Sequence, residues 1–322
     1  MHIEHAEALA LARDAAKGAG ASQAMAESLA RATVAAEWAG HKGVGFAHLL
    51  DYLDGLIQGR IQPQAQAAIS YPTPAVIRVD VQGGIAQLGF DQVFDELVHK
   101  GNTFGMATLL LNNSFTTGEI GYYTRRLAEA GLVAMACTNA GAQMTTQESG
   151  KAVFGTNPLS FAVPRPHAKP MVIDQASSAT AFVNVRRAAE AGEPIPLGWA
   201  LGPDGTPTTD AQEAVKGLLL PFGGMRGANI ALMVESLSAG LAGGNWSTEA
   251  PHFASGNASP GVGLFVMVLA PALIAPEFTE RFAKQLEHLA AQGVRIPGSH
   301  IHITALDVAE ATLERVRQYV KV

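Results

Sequence analysis

Apolar residues recur at helical spacing in three stretches near the start of the chain. Residues 4–17 and 22–38 are alanine-rich with Leu, Met and Val along one face, and Leu49, Leu50, Leu53 and Leu56 form a stripe that stops near Gly59. An N-terminal helical lobe is expected. The period then changes. Residues 75–81 alternate as a strand, residues 85–88 form a short apolar piece bounded by Gly83, Gly84 and Gly89, and residues 90–99 return to helical spacing. This predicts a β-hairpin feeding a helix. Further on, apolar runs at 106–111, 132–138, 159–163, 171–173 and 263–269 are short and continuous, as strands buried on both faces are. Helical patterns at 118–130, 179–191, 229–241, 277–292 and 308–320 alternate with them. The fold class that follows is α/β, a three-layer α/β/α core behind a helical lobe. Residues 194–210 carry four prolines and three glycines and read as an ordered surface excursion.

Composition narrows the function. A chain of 322 residues with 48% hydrophobic and 16% charged residues can bury a large core. With 22 Lys+Arg against 28 Asp+Glu the net charge is -6, so no broad cationic surface exists for a nucleic-acid backbone. The single cysteine, Cys137, excludes an internal disulfide, and the acidic start MHIEHAEALALARD lacks the basic-then-apolar plan of a secretion signal. A cytoplasmic location is expected. The longest apolar run, 262–272, is strand-sized and broken by Pro271, so no membrane partner is expected.

Generic motif searches return little. Gly43-Val44-Gly45-Phe46-Ala47-His48 lacks the last glycine of a dinucleotide fingerprint and follows a helix instead of a strand. There is no Walker A lysine motif and no Gly-x-Ser-x-Gly elbow, and Cys137 ends an apolar strand, where a thiol is packing. His300 and His302 would share a strand face but lack further ligands at metal spacing, so no metal is expected. His41 and His48, seven apart, share a helix face only if the helix runs through Gly43 and Gly45. Otherwise they are surface or capping histidines.

Three segments are richer in small polar residues than packing requires. They are Gly155-Thr156-Asn157-Pro158, the run Asp174-Gln175-Ala176-Ser177-Ser178-Ala179-Thr180, and Leu220-Pro221-Phe222-Gly223-Gly224-Met225-Arg226-Gly227. Each gathers backbone N–H groups and hydroxyls at a strand end or helix start, where α/β sheets bind phosphorylated ligands. Helix capping by Ser and Asp is the plainer alternative.

With Gly40-His41, Tyr52, Gly59, Gly121-Tyr122-Tyr123, Glu129-Ala130-Gly131-Leu132, Thr138-Asn139, Pro194-Ile195-Pro196, Gly198-Trp199-Ala200, Asp204-Gly205, Thr208-Thr209-Asp210 and Arg295-Ile296-Pro297-Gly298, these segments resemble the malate/L-lactate dehydrogenase type 2 family. That family includes ureidoglycolate, sulfolactate and diketogulonate oxidoreductases and cyclic ketimine reductases. The resemblance implies a sulfolactate dehydrogenase-like mixed sheet in three layers, not an ordinary Rossmann fold. It also implies a homodimer using NAD or NADP. Three regions are expected: a helical, substrate-side lobe at 1–70, an α/β nicotinamide-binding core at 71–295, and a C-terminal strand and helix at 296–322 that pack back on the lobe. By the resemblance the cofactor lies against Thr156, Pro158, Asp174, Gln175, Ala176, Ser177, Ser178, Gly224, Arg226 and Arg295, with Arg226 standing where relatives usually carry lysine.

The departures bear on the substrate. Family members usually read Gly-His-x-Ser-His-Gly-x-x-Arg in the first lobe, the second histidine moving a proton and the arginine pairing with the substrate carboxylate. Here Val44 replaces that histidine and His48 the arginine. A second family histidine is replaced by Thr116. A 2-oxo acid develops an alkoxide that must be protonated, whereas a cyclic ketimine can enter as an iminium already carrying its proton. The leading expectation is therefore an NAD(P)H-dependent reductase of a small cyclic 2-imino acid, Δ1-pyrroline-2-carboxylate or Δ1-piperideine-2-carboxylate. His48 and Thr116 are the candidate catalytic residues, His48 or Lys42 the carboxylate anchor, and Thr116, Thr117 and Met144 the pocket lining. A 2-hydroxy acid dehydrogenase and a non-catalytic NAD(P)-binding sensor are the alternatives.

Overall fold

The computed structural model describes residues 1–146, 149–298 and 305–320. In chain order, strand β1 (His2–Ile3) precedes helices α1 (His5–Gly18), α2 (Gln23–Trp38) and α3 (Phe46–Ile57), then the hairpin β2 (Ala68–Thr73) and β3 (Val76–Asp80). Next come α4 (Ala86–Phe104), β4 (Met106–Ser114), α5 (Ile120–Glu129), β5 (Val133–Thr138), β6 (Leu159–Arg165) and β7 (Ala168–Gln175). They are followed by α6 (Phe182–Ala191), β8 (Ala200–Leu201), β9 (Pro207–Thr208), α7 (Ala211–Lys216), β10 (Leu218–Leu219) and α8 (Met225–Glu235), which runs on as a π-helical turn, Ser236–Leu241. Strand β11 (Val262–Leu269), α9 (Pro271–Ile274), α10 (Phe278–Ala291), β12 (Leu306–Asp307) and α11 (Glu310–Val320) follow.

Seven strands form one mixed sheet in the order β2-β3-β4-β11-β5-β6-β7, in which β3 and β4 are parallel and every other pair antiparallel. Both faces are covered. Leu264, Val266 and Val268 of β11 pack with Phe90, Val93 and Leu97 of α4 and Leu127 of α5, while Phe265 packs on the opposite face with Val234 of α8. This two-sided burial is the physical reason that β11 reads as an unbroken apolar run. Cys137 sits in the second of these clusters, and burial pushes its thiol up to about 12, the behaviour of an inert packing cysteine.

The first lobe has its own core. Alanines of α1 and α2 pack with Leu49, Leu53 and Leu56 of α3 and with Leu313 and Val316 of α11, and β1 pairs with β12. Helix α2 is capped by Ser22, whose Oγ accepts from the Met25 N–H at 3.2 Å. Helix α3 is capped from outside: Glu37 Oε1 accepts the Phe46 N–H at 2.8 Å. A Cβ at Gly45 would lie 2.3 Å from that oxygen, so a glycine is needed for the carboxylate to reach the helix end. Among the described residues no helix is long and apolar enough to cross a membrane.

The expected strand at 85–88 is instead the start of α4, and the hairpin lies earlier, at β2 and β3. The cause is Gly89. A Cβ there would lie 2.5 Å from Val81 Cγ1, so the glycine marks close approach of a helix to the sheet and not a strand end. The condition for His41 and His48 to share a helix face, a helix running through Gly43 and Gly45, is not met, because a 3-10 turn at Lys42–Val44 separates them. His300 and His302 lie outside the described residues.

Candidate active site

The three polar segments meet at one end of the sheet. The Ser177 N–H donates to the Thr156 carbonyl at 2.8 Å and Ser177 Oγ to the Asn157 carbonyl at 2.7 Å. The Phe222 N–H donates to the Ser177 carbonyl at 3.0 Å, and Ser178 bridges to Pro221. Gly227, in the first turn of α8, allows this junction: a Cβ there would meet the Phe222 carbonyl oxygen at 2.4 Å and that of Ser177 at 2.8 Å. Below the loops, Glu235 is a buried acceptor. It takes Asn157 Nδ2 at 2.8 Å, Ser247 Oγ at 2.7 Å and the Ser247 N–H at 2.6 Å, and so ties the Asn157 loop to α8. Asn157 holds a left-handed φ of 38°.

This arrangement fits a dinucleotide. Gly223 and Gly224 turn the chain with φ of 56° and 64° into the start of α8, where the Gly227 and Ala228 N–H groups already donate to the Phe222 and Gly224 carbonyls and the positive end of the helix dipole faces outward. Arg226 is exposed there and forms no ion pair among the described residues, so it is available to an anionic diphosphate. Thr156 and Pro158 flank the junction, and Ala176 links it to the end of β7.

In the first lobe, His48 joins two groups. Its Nδ1 lies 2.7 Å from Asp51 Oδ2 and its Nε2 3.1 Å from Thr116 Oγ1, so a carboxylate, an imidazole and a hydroxyl form one chain of hydrogen bonds. His48 and Thr116, 68 residues apart, are thereby brought together. Tyr52 packs edge-on against His48 and accepts from Gln87 Nε2 at 2.8 Å. Burial pushes its phenol up to about 12, so it stays neutral. The Thr117 carbonyl accepts the Tyr123 hydroxyl at 2.6 Å, which fixes the segment after Thr116.

Between the first lobe, α5 and β7 runs a groove of about 1090 Å³, lined by His41, Arg125, Lys169, Asp174, Gln175 and Arg295 among others. His41 Nδ1 lies 3.1 Å from Glu119 Oε1 and 3.6 Å from Asp174 Oδ2. Burial alone would push Glu119 up, but its hydrogen bonds and ion pairs with His41 and Arg125 outweigh it and hold the carboxylate down. The bond to Glu119 in turn raises His41. Donor atoms of His41, Glu119 and Asp174 lie within 4.8 Å of one another, a spacing that could hold a metal ion. Arg125, paired with Glu119, already brings positive charge of the kind an ion would supply there.

Asp174 is the unusual member. Burial, then the neighbouring Glu119 charge, push its carboxyl up to about 6, although the Gly121 N–H donates to it at 2.8 Å. A raised carboxyl means that the folded chain keeps a proton the unfolded chain has lost, so stability falls as pH rises from 3.8 towards about 6. Asp174→Asn keeps an acceptor for Gly121 and removes the buried charge. It is expected to stabilise the chain by about 1–3 kcal/mol at about pH 8 and to change little at about pH 4. Denaturant titrations at the two pH values check this, and superimposable curves at the higher one would refute it.

Other candidates are placed elsewhere. Lys42 is exposed, with Nζ 3.3 Å from Asp307 Oδ2 on β12. Met144 is fully buried, bridging Phe154 and Leu219 within the cluster around the small sheet β10-β8-β9. Residues that sequence reasoning missed are Asp51, Glu119, Arg125 and Glu235. Asp51 stands three positions after His48 and Glu119 three positions after Thr116, spacings that carried a signal. Glu235 is an isolated acid in an apolar helix.

The comparisons with known proteins agree with this architecture. The chain is 35% identical to the (2R)-3-sulfolactate dehydrogenase (NADP(+)) of Chromohalobacter salexigens, covering 98% of this chain and 97% of that one. It is 35% identical to a Δ1-pyrroline-2-carboxylate/Δ1-piperideine-2-carboxylate reductase of Pseudomonas putida over 87% of this chain and 83% of the relative. The crystal structure of Δ1-piperideine-2-carboxylate reductase from Pseudomonas syringae superimposes with a TM-score of 0.93 at 30% identity, covering 99% of each chain. Residues 3–321 match the model of a single family, and with the mixed sheet and strand-end loops described above they make the chain a member of the malate/L-lactate dehydrogenase family.

Proposed function

We propose that the chain is an NAD(P)H-dependent reductase of small cyclic 2-imino acids, of the Δ1-pyrroline-2-carboxylate and Δ1-piperideine-2-carboxylate type. The observation that carries this reading is Val44, an apolar side chain in the Lys42–Val44 turn at the place where the resemblance puts a proton-transfer histidine. A cyclic imino acid enters as an iminium that already holds its proton, so it needs a hydride and no strong acid. The names of the Pseudomonas relatives support the same substrate class.

Reduced nicotinamide supplies the hydride when bound. Thr156, Pro158, Gly224 and Arg226 would hold it, braced by the buried Ser177 and Ser178, whose hydroxyls donate to the Asn157 and Thr180 carbonyls, with Ala176 leading to Asp174, Gln175 and Arg295 in the groove. The exposed Arg226 guanidinium at the positive end of the α8 dipole suits a diphosphate. Thr116 Oγ1 and His48 Nε2 share one hydrogen bond, which offers the ring nitrogen of an imino acid a partner without having to protonate it. In this reading the chain works as a cytoplasmic homodimer.

A second reading, a 2-hydroxy acid dehydrogenase, is favoured by the Asp51–His48–Thr116 chain itself, which can pass a proton to an alkoxide. The 35% identity to a sulfolactate dehydrogenase supports it too. Purified protein assayed with the two imines, pyruvate and malate, with NADH and NADPH in turn, decides between them. Imine turnover is expected. Oxo-acid turnover without imine turnover overturns the first reading, and cofactor binding without any turnover leaves a sensor.

A further inference from the structure

Both first-lobe anchors suggested by the sequence are engaged: Lys42 with Asp307, and His48 through both nitrogens. A third cation is not. Arg60, just past the end of α3, is 3% exposed, yet it takes part in no ion pair among the described residues. Its Nη1 donates to the Phe253 carbonyl, its Cζ lies 5.8 Å from the centre of the Phe115 ring, and its Nε is buried without any hydrogen-bond partner. Taking a guanidinium out of water against one neutral carbonyl and a ring is costly, because its five donors are built for a planar anion.

The surroundings join Arg60 to the catalytic chain. The Phe253 ring stands edge-on to His48 at 5.4 Å, Tyr52 stands 5.0 Å from His48, and Tyr52 meets Phe115 at 5.4 Å. Phe115 directly precedes Thr116. One aromatic box therefore carries His48 and Thr116 on one side and an uncompensated buried cation on another.

We propose that Arg60 anchors the carboxylate of the substrate, taking over from the arginine that His48 replaces. This rests on the reading of the chain as a reductase of a small ring carboxylate. A carboxylate accepts two parallel N–H bonds from a guanidinium and carries the missing charge, so it outcompetes the neutral Phe253 carbonyl.

The test uses Arg60→Met and Arg60→Lys in NADPH-loaded enzyme, with Δ1-pyrroline-2-carboxylate and with Δ1-pyrroline, the same ring without the carboxylate. Arg60→Met is expected to raise KM for the carboxylate about 100-fold while leaving the rate on the bare ring unchanged, and Arg60→Lys to lie between. Furan-2-carboxylate, which cannot be reduced in this way, gives a readout independent of turnover: calorimetry should show binding to the wild type that Arg60→Met weakens about 100-fold. Equal losses on both rings would make Arg60 a clamp on the Phe253 segment and overturn the proposal, as would undiminished furan-2-carboxylate binding by Arg60→Met or none by the wild type. If Arg60→Met does not fold, Arg60→Lys decides by the same ratio of effects on the two rings. Furan-2-carboxylate binding that depends on Arg60, in a protein that turns over neither imines nor oxo acids, would sink the reductase reading and leave the anchor standing.

Discussion

Replacing His48 by alanine is expected to cut turnover of any 2-oxo acid about 1000-fold, and turnover of a cyclic imino acid by less than about 10-fold. The difference follows from where the proton starts. A ketone must receive one at oxygen, and in the proposed site Thr116 Oγ1 gives it, recharged by His48, whose Nδ1 lies 2.7 Å from Asp51. An iminium brings its own. Thr116→Val should reproduce the loss on oxo acids, and His48→Ala with Thr116→Val together should be no worse than either alone, since each breaks the same chain. Steady-state rates of the three variants on both substrate types check this. Equal losses on the two types would show that the relay serves imines as well.

Glu235→Ala should have the largest effect on stability. Glu235 is 5% exposed and accepts three hydrogen bonds, from Asn157 Nδ2, Ser247 Oγ and the Ser247 N–H. Truncation leaves buried donors without an acceptor and opens a void beneath the Asn157 loop, for a cost of about 3–5 kcal/mol. In a chain of this size that lowers the thermal midpoint by about 4–7 °C. Because the same carboxylate holds the Thr156–Pro158 segment in place, NADPH affinity should drop about 10- to 100-fold even at temperatures where the variant is folded. Calorimetry with NADPH and a melting curve measure the two effects. Affinity preserved at wild-type level would mean that the loop keeps its shape without Glu235. Glu235→Gln, which retains one acceptor oxygen, should lie between.

The central sheet was legible because burial on two faces leaves a plain mark: β11 and β5 are continuous apolar runs. Strand β2 was invisible because all six of its residues are exposed, so no face imposed a pattern. Residues 85–88 misled because glycine serves equally to end a strand and to let a helix lie against a sheet, and Gly89 does the second. The strand-end loops could be named from their small polar residues, but their meeting depends on contacts such as Ser177 to Thr156 that no local spacing encodes. His48 and Thr116 stood out only as departures from a family pattern. Arg60 gave no signal at all, since a lone arginine after a helix reads as solvated, and only three-dimensional packing shows it enclosed by Phe115 and the Phe253 backbone.

The position of β11 between β4 and β5 bears on how the molecule is made. Residues 106–138 emerge from the ribosome long before residues 262–269, so the edges of β4 and β5 that face β11 lack their partner while more than a hundred further residues are synthesised, even though β3 and β6 can pair with the other edges. During that interval the nascent chain displays two apolar edges to solvent, the kind of surface on which chaperones and misassembly compete.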